Sequence, residues 1–590
     1  MTGNKTSKIK TDWDFSLLYR NNADSAIERD LQKMEQAHEK FAQKYANKTD
    51  YLTDPVKLAL ALADYEKLSD QAFSKPYAYF AYQHDLDSKN AKVEAKLNLL
   101  GQRYTNSGNK ITFFGVALTK IKPELQAKFL KHAKLQKYSF LLQCAFREAK
   151  HVLSVAEEKI MNLKSLPAHE LWVRGNDKIV SKQEILWKNK KLPLAEAMGK
   201  IQSLATKERR ELHTLVNQKL ASVADFAESE LNAIVLNKKI NDELRGYAQP
   251  YSATVLGYQN EEKTVDNLVK TVTKNFHISH RFYKAKAKML GLKNLTYADR
   301  AAPVGQTTQK ITFAQAVEIV KKAFGRVNPI YVTAFEEFLA NGQIDVFPKV
   351  GKTGGAYCSS TEGLPTFVLL NHLSDFKSLM TLAHELGHAM HARLGDAAQP
   401  PLYRGHSIAT AEVASTLFEN FVFDEVFNLL TEKEKIIALH DRINDSVMTI
   451  FRQIACFNFE LDLHNQIRKQ GSLSKEKIAK LLNQHMSAYL GPVFKLTEAD
   501  GYFFVSWSHL RNFFYVYSYA FGELVSNALY SSYQENNKFE EKIRQFLSAG
   551  SSASPEDIFA QVGVDVRNPA FFERGLKEIE AKIAKLEEMI

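Results

Sequence analysis

Cysteine is nearly absent: Cys144, Cys358 and Cys456 are the only three in 590 residues. Odd in number and far apart, they imply no disulfide framework, and they fit a reducing, cytoplasmic compartment. Proline (15) and glycine (26) are scarce. So few breakers in so long a chain point to long helices. No apolar run reaches the roughly 18 residues a membrane span needs. The polar start, Met1 to Lys5, leads into no apolar core of a signal peptide. The chain carries 78 basic and 67 acidic side chains, a net charge of +11. It lacks a basic block with interleaved aromatics. Its lysines are scattered among Glu and Asp along helices, which reads as a solvated surface with a modest attraction for acidic peptides. Neither nucleic acid nor a membrane is expected as a partner.

What is present is concentrated in Thr381-Leu-Ala-His384-Glu385-Leu-Gly387-His388-Ala-Met-His391. On a helix, His384 and His388 lie one turn apart on one face, a spacing that lets two neutral imidazoles hold one Zn²⁺ at roughly 2.0–2.1 Å. Glu385 falls at the rim of that face. It is too close in sequence to be a comfortable third ligand, but well placed to take a proton from an activated water. Leu379, Leu382, Ala383, Leu386 and Met390 form an apolar stripe pointing away from the histidines. Gly387 weakens a helix interior by about 1 kcal/mol, so close approach of another backbone beside the metal is expected there.

The surroundings supply partners. Residues 342–348, 351–358 and 366–371 read as strands and turns, a small sheet just before the HELGH helix. Its edge could pair with an extended peptide, with Gly354, Gly355 and Ala356 allowing close approach. The same glycines also suit a simple hairpin turn. A loop over 395–406 leads to a second helix containing Ala411-Glu412-Val-Ala-Ser-Thr416. Glu412 lies 24 residues after His388, and such a return can bring its carboxylate back to complete a His₂Glu set. Glu419, on the same face, is a candidate to orient a ligand imidazole. Farther on, His509, Tyr515, Tyr517 and Tyr519 put four polar tips into one aromatic segment, donors suited to an oxyanion. The alternative there is an aromatic core helix with one satisfied histidine. His391 and His406 are unassigned. Residues 1–200 read as all-helical, with a capping box at Ser154–Glu157.

These residues together resemble the thimet oligopeptidase family of zinc metallopeptidases, specifically its oligoendopeptidase F branch. The resemblance runs from Trp13-Asp-Phe-Ser-Leu-Leu-Tyr19 through Gly351–Cys358, Asn371, HELGH, the AEVAST stretch with Glu419, and His509 with FFYVYSY, to Val562-Gly-Val-Asp565 and Phe571-Phe572. It implies one Zn²⁺ held by His384, His388 and Glu412, with Glu385 as general base and proton shuttle. It implies that His509 and Tyr519, with Tyr517 or Tyr515, face the substrate and its oxyanion. The implied fold is a mainly α, two-lobed helical ellipsoid with a deep channel that admits short peptides and excludes folded proteins. Residues 1–200 would form an N-terminal helical domain, lid or channel wall, and 201–590 the catalytic domain. The expected activity is internal cleavage of short unstructured peptides; exopeptidase action stays open, as does monomer against homo-oligomer. A peptide-binding scaffold without chemistry is the competing reading. The intact Glu385 and complete ligand triad argue against it.

Overall fold

A computed structural model describes residues 9–71, 73–305 and 310–590. Helices make up 72% of it, with a small β-sheet, as the scarcity of breakers implies. The chain forms two compact units, each assembled from three segments. One comprises Met1–Lys150, Gln309–Asn428 and Leu529–Gly563; the other comprises His151–Thr308, Leu429–Ala528 and Val564–Ile590. Among the described residues, no helix is long and apolar enough to cross a membrane.

The stretch 1–200 is not all-helical. Strands β1 (Glu184–Trp187) and β2 (Lys190–Pro193) form an antiparallel hairpin. Its two turn residues, Lys188 (φ 50°) and Asn189 (φ 61°), are both left-handed, as a two-residue hairpin turn requires. Lys-Asn is a weak signal for such a turn; burial of Ile185 and Trp187 decides it. The capping box opening Val155–Ser165 is formed on both sides, with Ser154 N–H on Glu157 and Glu157 N–H on Ser154.

In the first unit the small sheet has the order β3-β5-β4: β3 (Ile344–Asp345), β4 (Tyr357–Ser359) and β5 (Phe367–Leu369). β5 is central, parallel to β3 and antiparallel to β4, so β4 lies at an edge. The opening Trp13-Asp-Phe-Ser motif is tied into this sheet. The Trp13 indole donates to the carbonyls of Gln343 (3.2 Å) and Val368 (2.9 Å), and its ring packs on Tyr82 and Phe367. The loop between β3 and β4 is organised around the Lys352 ammonium, whose side chain is fully buried. It donates to the Asp345 carboxylate (2.7 Å) and to the carbonyls of Phe347 (2.8 Å) and Leu370 (2.5 Å). A buried cation is tolerated only when paired and hydrogen-bonded in this way.

The sheet feeds directly into the HELGH helix, Phe376–Ala398, capped by the Asp375 side chain on Ser378 N–H. Leu379, Leu382, Ala383, Leu386 and Met390 are all buried, so the stripe does face a core. The helix continues three residues past Gly395, where a loop was expected. The missing side chain explains it: a Cβ there would sit 3.1 Å from the Arg404 carbonyl. The AEVAST helix, Ile408–Phe427, follows and packs along the first. Gly387 is where they meet. A Cβ on it would lie 2.6 Å from Ser415 Cα and 2.8 Å from the Ala414 carbonyl, so the expected backbone approach is real.

Candidate metal centre

The HELGH and AEVAST helices bring His384, His388 and Glu412 together, with one ligand atom from each lying within 4.8 Å of the others. Helical spacing supplies the two histidines; their rings stand 4.9 Å apart. The close crossing at Gly387 supplies the carboxylate. Glu419, two turns beyond Glu412, bonds His384 Nδ1 at 2.5 Å. That bond fixes the imidazole orientation and leaves Nε2 for the cluster, 3.7 Å from Glu412 Oε2. Two imidazoles and one carboxylate, one imidazole held by a second carboxylate, fit a divalent cation of the zinc type.

The electrostatics follow from burial and proximity. Burial works against a cation on His384, but the Glu419 bond and the nearby carboxylates outweigh it and raise its pKa to about 9. His388 is held down to about 3 by burial and by the positive charge of its neighbours His384 and His406. Glu385 is 6% exposed, and burial pushes its carboxyl up to about 7. The His384 charge opposes that rise, Glu412 adds to it, and the Cys358 backbone N–H again opposes it. The helix carrying Glu385 packs against edge strand β4. A carboxyl poised near neutrality beside a metal-type cluster can accept and return a proton.

Gly354 and Gly355 are exposed, a Cβ on either would meet nothing within 4 Å, and Gly355 has φ +79°. Ala356 is half-buried next to β4. The Asn371 amide pins this loop by donating to the carbonyls of Thr353 (2.9 Å) and Gly355 (2.8 Å). Asn371, Lys352 and Cys358 carried no role of their own in the sequence reading. The Gly351–Cys358 and Asn371 matches alone hinted at one, because backbone pinning has no local pattern.

In the second unit, His509, Tyr515 and Tyr519 form a separate polar cluster. The Tyr515 hydroxyl is 2.5 Å from His509 Nδ1, and the Tyr519 ring lies 6.2 Å from the His509 ring and 5.7 Å from that of Tyr515. All three are half-buried. Burial, with the Arg452 charge, keeps the His509 pKa below its usual value, so the ring is neutral near pH 7. Tyr517 does not join them. It is fully buried, and its hydroxyl donates to Asn260 at 2.9 Å. Tyr517 opens the helix Tyr517–Glu535 and Tyr519 lies two residues along it, so the two face different sides. His391 and His406 stack on each other at 4.3 Å behind the metal-type cluster.

Comparison with known proteins decides the family. Residues 202–578, more than half of the chain, match peptidase family M3, and residues 118–183 match oligopeptidase F. The chain belongs to peptidase family M3. Membership makes it a peptide-bond hydrolase of the metalloendopeptidase class. This M3 peptidase is 26% identical to oligopeptidase PepF of Bacillus subtilis, over 93% of its length and 83% of that protein. It is 24% identical to an oligoendopeptidase F homolog of Lactococcus lactis, over 98% and 97%. Its fold matches a crystal structure from Chlamydophila abortus with TM-score 0.86 at 23% identity, covering 98% of each chain. It matches oligoendopeptidase-F from Enterococcus faecium with TM-score 0.70 at 18% identity, covering 96% and 98%.

Proposed function

We propose that this M3 peptidase is a zinc-dependent endopeptidase that cuts internal bonds of short, unstructured peptides. The observation that carries the reading is the convergence of His384, His388 and Glu412, with Glu385 buried beside them. When bound, Zn²⁺ supplies Lewis acidity, making water acidic and the scissile carbonyl electrophilic near pH 7. His384, His388 and Glu412 would hold it, and Glu419 would keep His384 in the tautomer that presents Nε2.

Glu385 takes the proton of the attacking water and passes it to the leaving amine; its pKa near neutrality suits both transfers. Edge strand β4 pairs with the extended peptide backbone, and Gly354, Gly355 and Ala356 leave room for it. His509 and Tyr519 donate to the developing oxyanion, with Tyr515 holding His509. Losing one such donor typically lowers turnover by about 10²–10³-fold. Residues 1–200 wall the peptide's path, while 201–590 carry the chemistry. The relatives' names, oligopeptidase and oligoendopeptidase F, support internal cleavage of short substrates. Three free cysteines support a reducing, cytoplasmic setting.

The test is hydrolysis of an internally quenched peptide of about ten residues, before and after removal of metal by a chelator and after re-addition of Zn²⁺, with products mapped by mass spectrometry. The expected result is internal cleavage that is lost with the metal and restored by zinc. Activity indifferent to chelation, or release of terminal residues alone, would contradict the proposal.

A further inference from the structure

The segment carrying His509, Tyr515 and Tyr519 is backbone of an unusual kind. Between the short helical turn Ser508–Arg511 and the helix Tyr517–Glu535, the chain reverses through Phe513 (φ 35°) and Phe514 (φ 61°). Two consecutive aromatic residues in the left-handed region are strained. Such backbone persists only where the surroundings over-determine it.

Here the surroundings come mainly from one helix, Gln453–Gln470. Glu460 is 1% exposed, and one of its oxygens accepts the Phe514 N–H at 2.9 Å. One turn on, the fully buried His464 ring packs against Phe513 at 5.4 Å and Phe514 at 4.8 Å. The Thr254 hydroxyl holds the other side of the reversal, donating to the Phe513 carbonyl at 2.9 Å. Upstream, Arg511 is locked by the buried Glu230 carboxylate (2.9 and 2.5 Å) and by the carbonyls of Phe504 and Trp507. Downstream, the Tyr517 hydroxyl is locked on Asn260. With both flanks anchored, relaxation at Phe513–Phe514 would be felt first at Tyr515, the residue bonded to His509. A carboxyl group is a costly way to satisfy one N–H in the interior, and burial pushes Glu460 up to about 8. That expense marks a group kept for geometry.

We propose that Glu460 and His464 are positioning residues for the peptidase reaction. By holding the Phe513–Phe514 backbone reversed, they keep Tyr515 on His509 and set the direction of Tyr519. The proposal rests on the reading of His509 and Tyr519 as oxyanion donors, so its test measures both. The experiment determines kcat, KM and bound zinc, with the ten-residue quenched peptide, for the full chain and for Glu460→Leu, Glu460→Gln, Thr254→Val, His509→Gln and Tyr519→Phe.

Glu460→Leu removes the acceptor. It is expected to lower kcat by about tenfold or more, with KM within about threefold and zinc content unchanged, the pattern of a lost transition-state interaction. Glu460→Gln keeps an acceptor oxygen and is expected to stay within about threefold of wild type, a rescue that a requirement for the carboxyl group itself would not give. Thr254→Val is expected to lower kcat by about threefold or more at unchanged KM. Wild-type kcat in both Glu460→Leu and Thr254→Val, or equal losses in Glu460→Leu and Glu460→Gln, would overturn the positioning role. Where that happens while His509→Gln and Tyr519→Phe are impaired, only the positioning role falls. Wild-type turnover in His509→Gln and Tyr519→Phe would remove the oxyanion reading and the positioning role together. Should Glu460→Leu fail to fold, Thr254→Val decides: unchanged kcat overturns the proposal, and a drop in kcat at constant KM supports it.

Discussion

Replacing Gly387 by alanine adds one methyl group where the HELGH and AEVAST helices touch. The new Cβ would lie 2.6 Å from Ser415 Cα, 2.8 Å from the Ala414 carbonyl and 3.1 Å from Ser415 N. Ordinary contact begins near 3.4 Å, so the helices must separate by about 0.8 Å; all three obstacles are backbone and none can rotate away. Ser415 is one turn from Glu412, and Gly387 adjoins His388, so the separation falls directly on the ligand set. Metal–ligand distances tolerate only about 0.2 Å. In the fold as a whole, overpacking costs about 1–3 kcal/mol, and better helix propensity returns about 1 kcal/mol. The variant should therefore fold, with a melting temperature a few degrees lower, but bind Zn²⁺ at least about tenfold more weakly. Zinc titration against a competing chelator gives the affinity, and calorimetry of metal-free and zinc-loaded protein separates it from stability. A Gly387→Ala protein that binds zinc and cleaves peptide like wild type would refute the close-crossing account of the site.

Zinc affinity should rise by about tenfold per pH unit between pH 7 and 9 and level off above, because the metal must displace the proton that His384 keeps up to about 9; a flat profile would contradict this. In the metal-free protein the same group contributes stability that is fully present below pH about 6.5 and is lost as pH rises through about 9, which thermal unfolding across that window would register. Glu419→Gln removes the charge that holds His384, so zinc should bind about 10-fold more weakly and the pH dependence should move down toward ordinary histidine titration; unchanged affinity would show that the Nδ1 bond is idle. Lys352→Met leaves the buried Asp345 carboxylate with the Lys349 ammonium and the Trp13 N–H. It should destabilise the protein by about 3–5 kcal/mol and raise KM through the loosened 353–356 loop; an unchanged unfolding midpoint would contradict the role given to Lys352.

The metal-type cluster was legible because its information is local. His384 and His388 are fixed by helical period, and Glu412 and Glu419 by the length of one helical return. The apolar stripe of the HELGH helix and the reason for Gly387 followed from the same period. The β1–β2 hairpin was not legible, since its Lys-Asn turn is held by burial of Ile185 and Trp187 and carries no Asn-Gly signal. The helix through Gly395 was hidden for a related reason: a neighbouring backbone, absent from the local sequence, makes glycine the residue that fits. Tyr517 could not be told from Tyr515 and Tyr519 without knowing where the helix begins. The left-handed Phe513–Phe514 pair lies wholly outside sequence patterns, because Glu460, His464 and Thr254 impose it from distant parts of the chain. Trp13 belongs to the same class: its indole bonds join residues more than three hundred positions apart.

The most direct test of the catalytic account is Glu385→Gln, assayed on the quenched peptide beside wild type, with zinc quantified in both. The account predicts full zinc content in both proteins and turnover reduced by about 10²–10⁴-fold in the variant, the contribution of one positioned general base. Wild-type turnover by Glu385→Gln with zinc still bound would contradict it.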